Sequence, residues 1–283
     1  MTSQNTPEQQ PWILVTNDDG PDSPALIPLL RELSGSMPVR ALVPSREYSW
    51  SAKTLTRQGN LQIAPIVTDG FELSTLTGSP ADCANLGVHH LAGCKPSLVV
   101  SGVNMGTNAG NAFMLSSGTV GAAIEGALCG VAAAAFSMKL SPQVYQQWRA
   151  QRSLDSTTDE LWATAAIIAR EICEEILHAG LPAGASLLSV NMPDSCATNT
   201  PRRFARITPT EYGSFFKQLS PNEFDHRYSG FRVVGGDGQG DVELLENGVV
   251  TLAAIDLDLN AEAATDGDRQ RFERSDLRSQ GQC

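Results

Sequence analysis

Short apolar runs that end at clusters of Gly, Asn, Asp or Ser recur along the chain up to about residue 191. Runs of this length are typical of strands that are buried on both faces of a parallel sheet. We therefore predict buried strands at residues 12–16, 39–43, 97–101, 131–137 and 187–190.

Helix-like segments separate these strands. They are predicted at residues 24–33, 80–91, 119–128 and 159–178, and residues 54–76 are typical of strand and hairpin structure. The last helix has a regular apolar face, made by Leu161, Ala165, Ile168, Ala169, Ile172 and Ile176. Because strands alternate with helices, the pattern predicts a doubly wound α/β layer with a mostly parallel sheet.

The pattern changes after residue 193. Short β-like runs at 204–208, 231–234 and 249–255 lie between polar or Gly-rich stretches, which predicts a β-rich C-terminal arm suited to oligomer contacts. The sequence predicts a flexible tail at 1–11, one domain at 12–255 and a charged tail at 256–283. Within the domain, the core spans about 12–193 and the arm about 194–255.

Charge and composition exclude some functions. The chain has 20 Lys and Arg against 31 Asp and Glu, and no basic stripe, so we expect no binding to a nucleic-acid duplex. The small-residue run at 120–138 contains Glu125, which favours a helix and a buried strand over a membrane span. The first eleven residues do not resemble a signal peptide, and the six cysteines form no CxxC pair, which indicates free thiols in the cytoplasm.

Polar residues follow the predicted strands at the edge where open parallel sheets bind ligands. Asp18 and Asp19 follow the first strand, Ser49 follows the second, and Asn104 follows the strand at 97–101. Two adjacent buried carboxylates repel each other unless a cation is bound, and an all-oxygen set of this kind suits magnesium or manganese. Asp-Asp-Gly by itself predicts only a turn, but the strand before it and the Asn-rich loop elsewhere favour a cation site.

A second candidate site opens the helix at 119–128. The segment Ser117-Gly118-Thr119 offers free backbone N–H groups and hydroxyls, which suit a phosphate, although a simple N-cap has the same pattern. Ser79, before the helix at 80–91, is equally well explained as an N-cap. A serine-hydrolase elbow and a P-loop are both absent from the sequence.

Four ordered motifs resemble those of the SurE survival-protein family, acid-phosphatase-like 5′/3′-nucleotidases. They are ILVTNDDG at 13–20, GSPADC at 78–83, SGVNMGTNAG at 101–110 and SGTVGAAIEG at 117–126. The resemblance implies a three-layer Rossmann-like core and a swapped C-terminal arm that holds a homodimer or homotetramer together. It also implies release of phosphate from nucleoside 5′- or 3′-monophosphates, with one divalent cation per subunit, Mg²⁺ or Mn²⁺.

The resemblance also assigns site residues. Carried over by motif position, the cation ligands are Asp18, Asp19, Ser49 and Asn104, and Asp18 and Asp19 are the catalytic pair. The residues placed at the phosphate or substrate are Asn17, Asn108, Ser117, Gly118 and Thr119. One of the two aspartates is expected to orient the attacking water, and no separate general base is assigned.

One loop departs from the family pattern. The family usually reads Pro-Asp-Arg-Asn-x-Ser-Gly there, whereas this chain reads PSREYSW at 44–50, which keeps Ser49 but puts Trp50 in place of the small residue. Trp50 can stack on a base, narrow the pocket or pack the loop. Two other functions stay open: a nucleotide-binding regulator with reduced or lost catalysis, and a phosphatase for polyphosphate or sugar phosphates.

Overall fold

A nine-stranded sheet forms the centre of the protein in a computed structural model that describes residues 10–151, 154–228, 230–235 and 238–259. The strands are β1 (Ile13–Thr16), β2 (Val39–Pro44), β3 (Ile63–Thr68), β4 (Phe71–Leu76), β5 (Leu98–Met105), β6 (Ala133–Met138), β7 (Leu187–Met192), β8 (Arg202–Phe204), β9 (Thr210–Tyr212), β10 (Phe216–Ser220), β11 (Glu223–His226), β12 (Phe231–Val233) and β13 (Val250–Ile255). The helices are α1 (Leu26–Ser34), α2 (Pro80–His90), α3 (Asn111–Ser116), α4 (Gly118–Leu128), α5 (Pro142–Gln151), α6 (Asp159–Ala179) and α7 (Asp241–Glu246), with a 3₁₀ turn at Ser156–Thr158.

The strand order is β3-β4-β2-β1-β5-β6-β7-β13-β8. The five strands from β2 to β7 are parallel, as is the β2–β4 pair, whereas β3 and β13 are antiparallel to β4 and β7. The predicted mostly parallel α/β sheet is therefore confirmed. From β1 the chain proceeds to β2 on one side and later returns to β5 on the other, so the strand order reverses beside β1. Ligands bind at the carboxyl ends of the strands at such a reversal.

Helices cover both faces of the sheet, which makes it the middle of three layers. Ile13 and Val15 of β1 pack in the same cluster as residues of α1 and α6, whereas Leu14, between them, packs with residues of α2 and α4. Successive side chains of a strand point to opposite faces, so a strand covered by helices on both sides is buried along its whole length. This is why the four residues of β1 are all buried.

The predicted helices are present with small changes at their ends. Helix α1 begins at Leu26 and not at Pro24, because a turn comes first in which the backbone N–H of Leu26 donates to the carbonyl of Ser23 (3.0 Å). In α6 five of the six residues of the predicted apolar face are buried, Leu161 is half-buried at its edge, and Trp162 is buried in addition. Helices α3, α5 and α7 were not predicted, since each is short or carries few apolar residues.

The C-terminal part divides between the sheet and an extension. Strands β9 and β12 pair with each other, and β10 and β11 form an antiparallel hairpin whose residues are almost all exposed. Strand β13 inserts between β7 and β8 in the central sheet. The division into core and arm stays a prediction, and the predicted tails at 1–11 and 256–283 fall largely outside the described residues.

No described helix combines the length and apolar character needed to cross a membrane. The cysteines within the described ranges are free thiols: Cys83, Cys94, Cys129, Cys173 and Cys196.

Candidate functional site

The turn after β1 presents the two aspartates at the carboxyl edge of the sheet. Asn17 shapes this turn: its side-chain N–H donates to the carbonyl of Gly20 (2.9 Å), and its Oδ1 accepts from the Gly20 backbone N–H (3.0 Å). Gly20 has a φ of +87°, a conformation that glycine adopts at no steric cost. Both polar ends of the Asn17 amide are thus used within the turn, and its predicted contact with substrate stays a prediction.

Asp18 joins three segments of the chain. Its Oδ1 accepts a hydrogen bond from the Thr119 hydroxyl at the start of α4 (2.6 Å), and its carbonyl accepts from the backbone N–H of Tyr48 (2.8 Å). Asp19 is less buried, and its Oδ2 accepts from the backbone N–H of Met105 at the end of β5 (3.2 Å). The structure therefore brings the ends of β1 and β5, the loop after β2 and the start of α4 to one place.

Ser49 and Asn104 contribute neutral oxygens to this region. Ser49 is exposed, and its hydroxyl donates to the carboxylate of Glu47. Asn104 is half-buried and turns its amide nitrogen toward the carbonyl of Gly106 (2.7 Å), which leaves its Oδ1 as the other polar atom of that side chain. The role of both residues as cation ligands stays a prediction.

The donor set fits a hard divalent cation. Among the described residues, no group of three or more His, Cys, Asp or Glu side chains is placed to hold a metal. A cation at Asp18 and Asp19 would therefore be bound by two carboxylates, neutral oxygens and water. Magnesium and manganese accept such oxygen ligands and keep several waters, whereas zinc prefers His and Cys.

The start of α4 lies directly against Asp18. A Cβ on Gly118 would come within 2.9 Å of the Asp18 Cβ and 2.8 Å of the Ser51 hydroxyl, so only glycine fits between them. Ser117 caps the helix by accepting from the backbone N–H of Val120 (3.1 Å). The helix start predicted to bind phosphate is thus adjacent to the carboxylate pair, and Thr119 additionally bonds one of those carboxylates.

Two residues that were not predicted as site residues, Asn191 and Ser137, hold Asn108 in place. Its backbone N–H donates to Oδ1 of Asn191 on β7 (2.8 Å), and its amide nitrogen donates to the hydroxyl of Ser137 on β6 (2.7 Å). Thr107 also donates to Asn191 Oδ1 (3.2 Å). Asn191 and Ser137 could both have been identified from the sequence, because each is polar and lies near the carboxyl end of a buried strand. Burying a polar side chain is costly unless it forms a hydrogen bond.

Buried carboxylates hold the segment that follows Ser49 and Trp50. Asp82 accepts from the backbone N–H (3.0 Å) and hydroxyl (2.6 Å) of Thr56, and from the backbone N–H of Ser79 (2.8 Å). Glu125 of α4 forms an ion pair with Lys53 (2.6 Å). Ser79 accepts from the backbone N–H of Asp82 (3.1 Å), so it is an N-cap, one of the two roles that the sequence left open.

Similarity to known proteins identifies the family. Residues 13–214 match the family described as Survival protein SurE. This chain belongs to the SurE family. Among its curated SurE relatives, the 5'-nucleotidase SurE of Archaeoglobus fulgidus is 30% identical over 260 residues, which cover 90% of this chain and 94% of that protein. The 5'-nucleotidase SurE of Methanothrix thermoacetophila is 31% identical over 226 residues, covering 80% and 82% of the two chains.

A solved SurE structure has the same fold. The crystal structure of the SurE protein from Aquifex aeolicus matches with a TM-score of 0.71 at 24% identity, covering 92% of this chain and 99% of that chain. The nine-stranded sheet described above is therefore a SurE fold, and the predicted family membership and fold class are confirmed.

In this SurE chain the burial of Asp18 raises the pKa of its carboxyl group to about 6; the Thr119 hydrogen bond opposes that effect, and the nearby Glu47 charge adds to it. Between the ordinary pKa and about 6, the unfolded state loses its proton before the folded state does. Stability of the cation-free protein should therefore fall across that interval, by about 3 kcal/mol in total.

Urea unfolding in the presence of a chelator at pH 4 to 8 measures this effect. The free energy of unfolding of the wild type relative to Asp18→Asn is expected to decrease as the pH rises from about 4 to about 6 and to level off above that. If the free energy of unfolding changed with pH equally in the two proteins, Asp18 would not be the group responsible for the pH dependence.

Proposed function

We propose that this SurE-family protein is a phosphatase that uses a divalent cation to hydrolyse nucleoside 5′-monophosphates, or 3′-monophosphates, to nucleoside and phosphate. The observation that carries the proposal is the direct contact between Asp18 and the start of α4. The contact supports the proposal because a helix start, where backbone N–H groups can bind an anion, lies beside a carboxylate pair that suits a cation. The relatives named 5'-nucleotidase SurE support the choice of a nucleotide as substrate.

The proposed cation site consists of Asp18, Asp19, Ser49 and Asn104, with one Mg²⁺ or Mn²⁺ per subunit. A bound divalent cation would polarise a phosphoryl oxygen and lower the pKa of a bound water. Asp18 is anchored by Thr119 and is suited to holding the site rigid, whereas the more exposed Asp19 is suited to orienting the attacking water.

The remaining residues have roles in binding the phosphoryl group. Ser117, Gly118 and Thr119 would hold its non-bridging oxygens through the backbone N–H groups of the first turn of α4, where the helix dipole favours negative charge. Asn108 would complete the pocket from the opposite loop. Water adds to phosphorus as the ester bond breaks, and the departing oxygen takes a proton to give the nucleoside hydroxyl.

A phosphate-release assay tests this proposal. Nucleoside 5′- and 3′-monophosphates, ribose 5-phosphate and polyphosphate would each be supplied with Mg²⁺, Mn²⁺ or a chelator. We expect turnover of the nucleoside monophosphates with a cation and none with chelator, because the carboxylate pair alone repels an anionic substrate. Turnover that persists in chelator would contradict the proposal.

The same assay addresses a second candidate, a nucleotide-binding regulator with lost catalysis. The loop at 44–50 motivates it, because this loop departs from the family pattern around Ser49 and carries Trp50. Nucleotide binding without turnover under every cation would support the regulator. Turnover of polyphosphate or sugar phosphate in preference to nucleotides would support the third function that the sequence leaves open.

We further propose that the protein is a cytoplasmic homodimer or homotetramer joined through its C-terminal arm. The exposed apolar side chains of the β10–β11 hairpin, Phe216, Leu219 and Phe224, support the contact, and the free thiols support a reducing compartment.

A further inference from the structure

Aromatic rings collect around Trp50, the residue that follows Ser49. The ring of Trp50 lies 5.5 Å from that of Phe113 on α3, 5.0 Å from that of Phe215 and 5.5 Å from that of Tyr228, between ring centroids. His226 at the end of β11 is 6.4 Å away. We call these five residues the Trp50 cluster. It connects the loop of the proposed cation site to the C-terminal extension.

Trp50 has no near-parallel neighbour in the Trp50 cluster and is exposed, whereas Phe113, which also has none, is less exposed. Phe215 has near-parallel neighbours, His226 at 14° and Tyr228 at 21°. Trp50, in contrast, meets its four neighbours at angles of 50° to 67°, and among the described residues no ring lies parallel to it. It is 40% exposed, whereas Trp12, Trp148 and Trp162 are buried.

The backbone holds Trp50 in an unusual conformation. Its φ is +59°, in the left-handed region that bulky residues rarely occupy. The segment is fixed on both sides, because the backbone N–H of Tyr48 donates to Asp18 (2.8 Å) and that of Ala52 donates to Ser116 (3.0 Å). The indole is therefore held beside Ser49 by a rigid loop and by edge contacts with other rings.

We propose that Trp50 is a specificity-determining residue that binds the base of the substrate by stacking, an inference that rests on the proposed function. Every nucleobase presents a flat π-face, and stacking on an aromatic side chain discriminates between substrates with and without a base. The loop that carries Trp50 packs against the start of α4, where a Cβ on Gly118 would come within 2.8 Å of the Ser51 hydroxyl, so a base joined to a phosphate bound at that helix start would be close to this loop. Trp50 thus selects nucleotides over base-free phosphomonoesters and accepts both purines and pyrimidines.

Paired substrates test the proposal. The kcat/KM for adenosine 5′-monophosphate, divided by that for ribose 5-phosphate, is measured in the wild type, Trp50→Leu and Trp50→Phe. We expect the ratio to fall about 10-fold to 100-fold in Trp50→Leu, mainly through KM for the nucleotide, and to stay within about 3-fold in Trp50→Phe. Phe204→Leu is the matched control, since Phe204 is an exposed ring of β8 that lies outside the Trp50 cluster and the β10–β11 hairpin.

A binding measurement separates this inference from the proposed function. Equilibrium dialysis of adenosine in the presence of chelator requires neither catalysis nor a cation, and its Kd should rise about 10-fold to 100-fold in Trp50→Leu only. If the wild type hydrolyses no phosphomonoester, the proposed function fails and the dialysis still tests Trp50. An equal loss for both substrates in Trp50→Leu, or an unchanged Kd for adenosine, would show that Trp50 only packs the loop against the extension and would overturn the inference.

Discussion

Replacing Asp18 by Asn is expected to reduce cation-dependent phosphate release by about 10³-fold or more. The carboxylate is the most enclosed group of the proposed cation site, and loss of its charge removes several kcal/mol of stabilisation of the bound cation and the transition state. The fold should survive, because an amide oxygen can still accept the hydrogen bond from Thr119. Steady-state phosphate release and thermal unfolding of the same preparation provide the measurement.

The stability of the Asp18→Asn variant provides a second, independent test of the role of Asp18. Burial raises the pKa of Asp18 to about 6, so its charge is unfavourable in the cation-free protein above that pH. Asp18→Asn should therefore be inactive and yet at least as stable as the wild type at pH 8 with chelator. Asp22→Asn, a change at an exposed carboxylate four residues further on, serves as the control and should retain activity within about twofold. Full activity in Asp18→Asn would remove Asp18 from the site.

Replacing Gly121 by Ala is expected to reduce turnover about 10²-fold and to destabilise the protein by about 1–3 kcal/mol. The new Cβ would lie 2.6 Å from the carbonyl carbon of Ala52 and 2.8 Å from the backbone nitrogen of Lys53, and closer still to the Ala52 carbonyl oxygen. These are backbone atoms of the loop that carries Ser49 and Trp50. The loop must therefore move away from α4, and both the cation site and the ring of Trp50 move with it.

An opposing effect makes this test informative. In an open helix position, Gly→Ala stabilises by about 1 kcal/mol because Ala is the better helix former. We expect the clash with Ala52 to outweigh that gain, since no flexible side chain can yield. Gly213→Ala is the matched control, because a Cβ there meets nothing within 4 Å and the φ is not positive. Activity close to wild type in Gly121→Ala would show that this loop does not need its present position.

The central sheet and one corner of the site were predictable because their signals are local. Buried strands between helices appear as short apolar runs, and the rule that ligands bind at carboxyl strand ends places Asp18, Asp19 and Asn104 at one edge. The helix after Ser79 made an N-cap one of the two roles that the sequence offered for this residue. In each case the deciding physics acts within a few residues of chain, where hydrophobic period and capping chemistry can be inferred directly.

The supports of the site were not predictable from local pattern. Asn191 and Ser137 clamp Asn108 across 83 and 29 residues of chain, and Asp82 bonds Thr56 across 26. Nothing in the sequence near Asp82 or Asn191 marks them as partners of these loops. Their positions follow from strand order and helix packing, which bring distant polar groups together and require each buried one to find a partner.

The sequence by itself determined the α/β alternation, the family and the carboxylate pair after β1, because these depend on residue type and short-range spacing. Only the tertiary structure decided three other features: the insertion of β13 between β7 and β8, the closeness of Asp18 to α4, and the environment of Trp50. The sequence left three roles open for Trp50: stacking on a base, narrowing the pocket or packing the loop. Its ring contacts come from Phe113 and from residues 215–228, more than 60 positions away, so this exposed arrangement without a parallel ring exists only once the chain has folded.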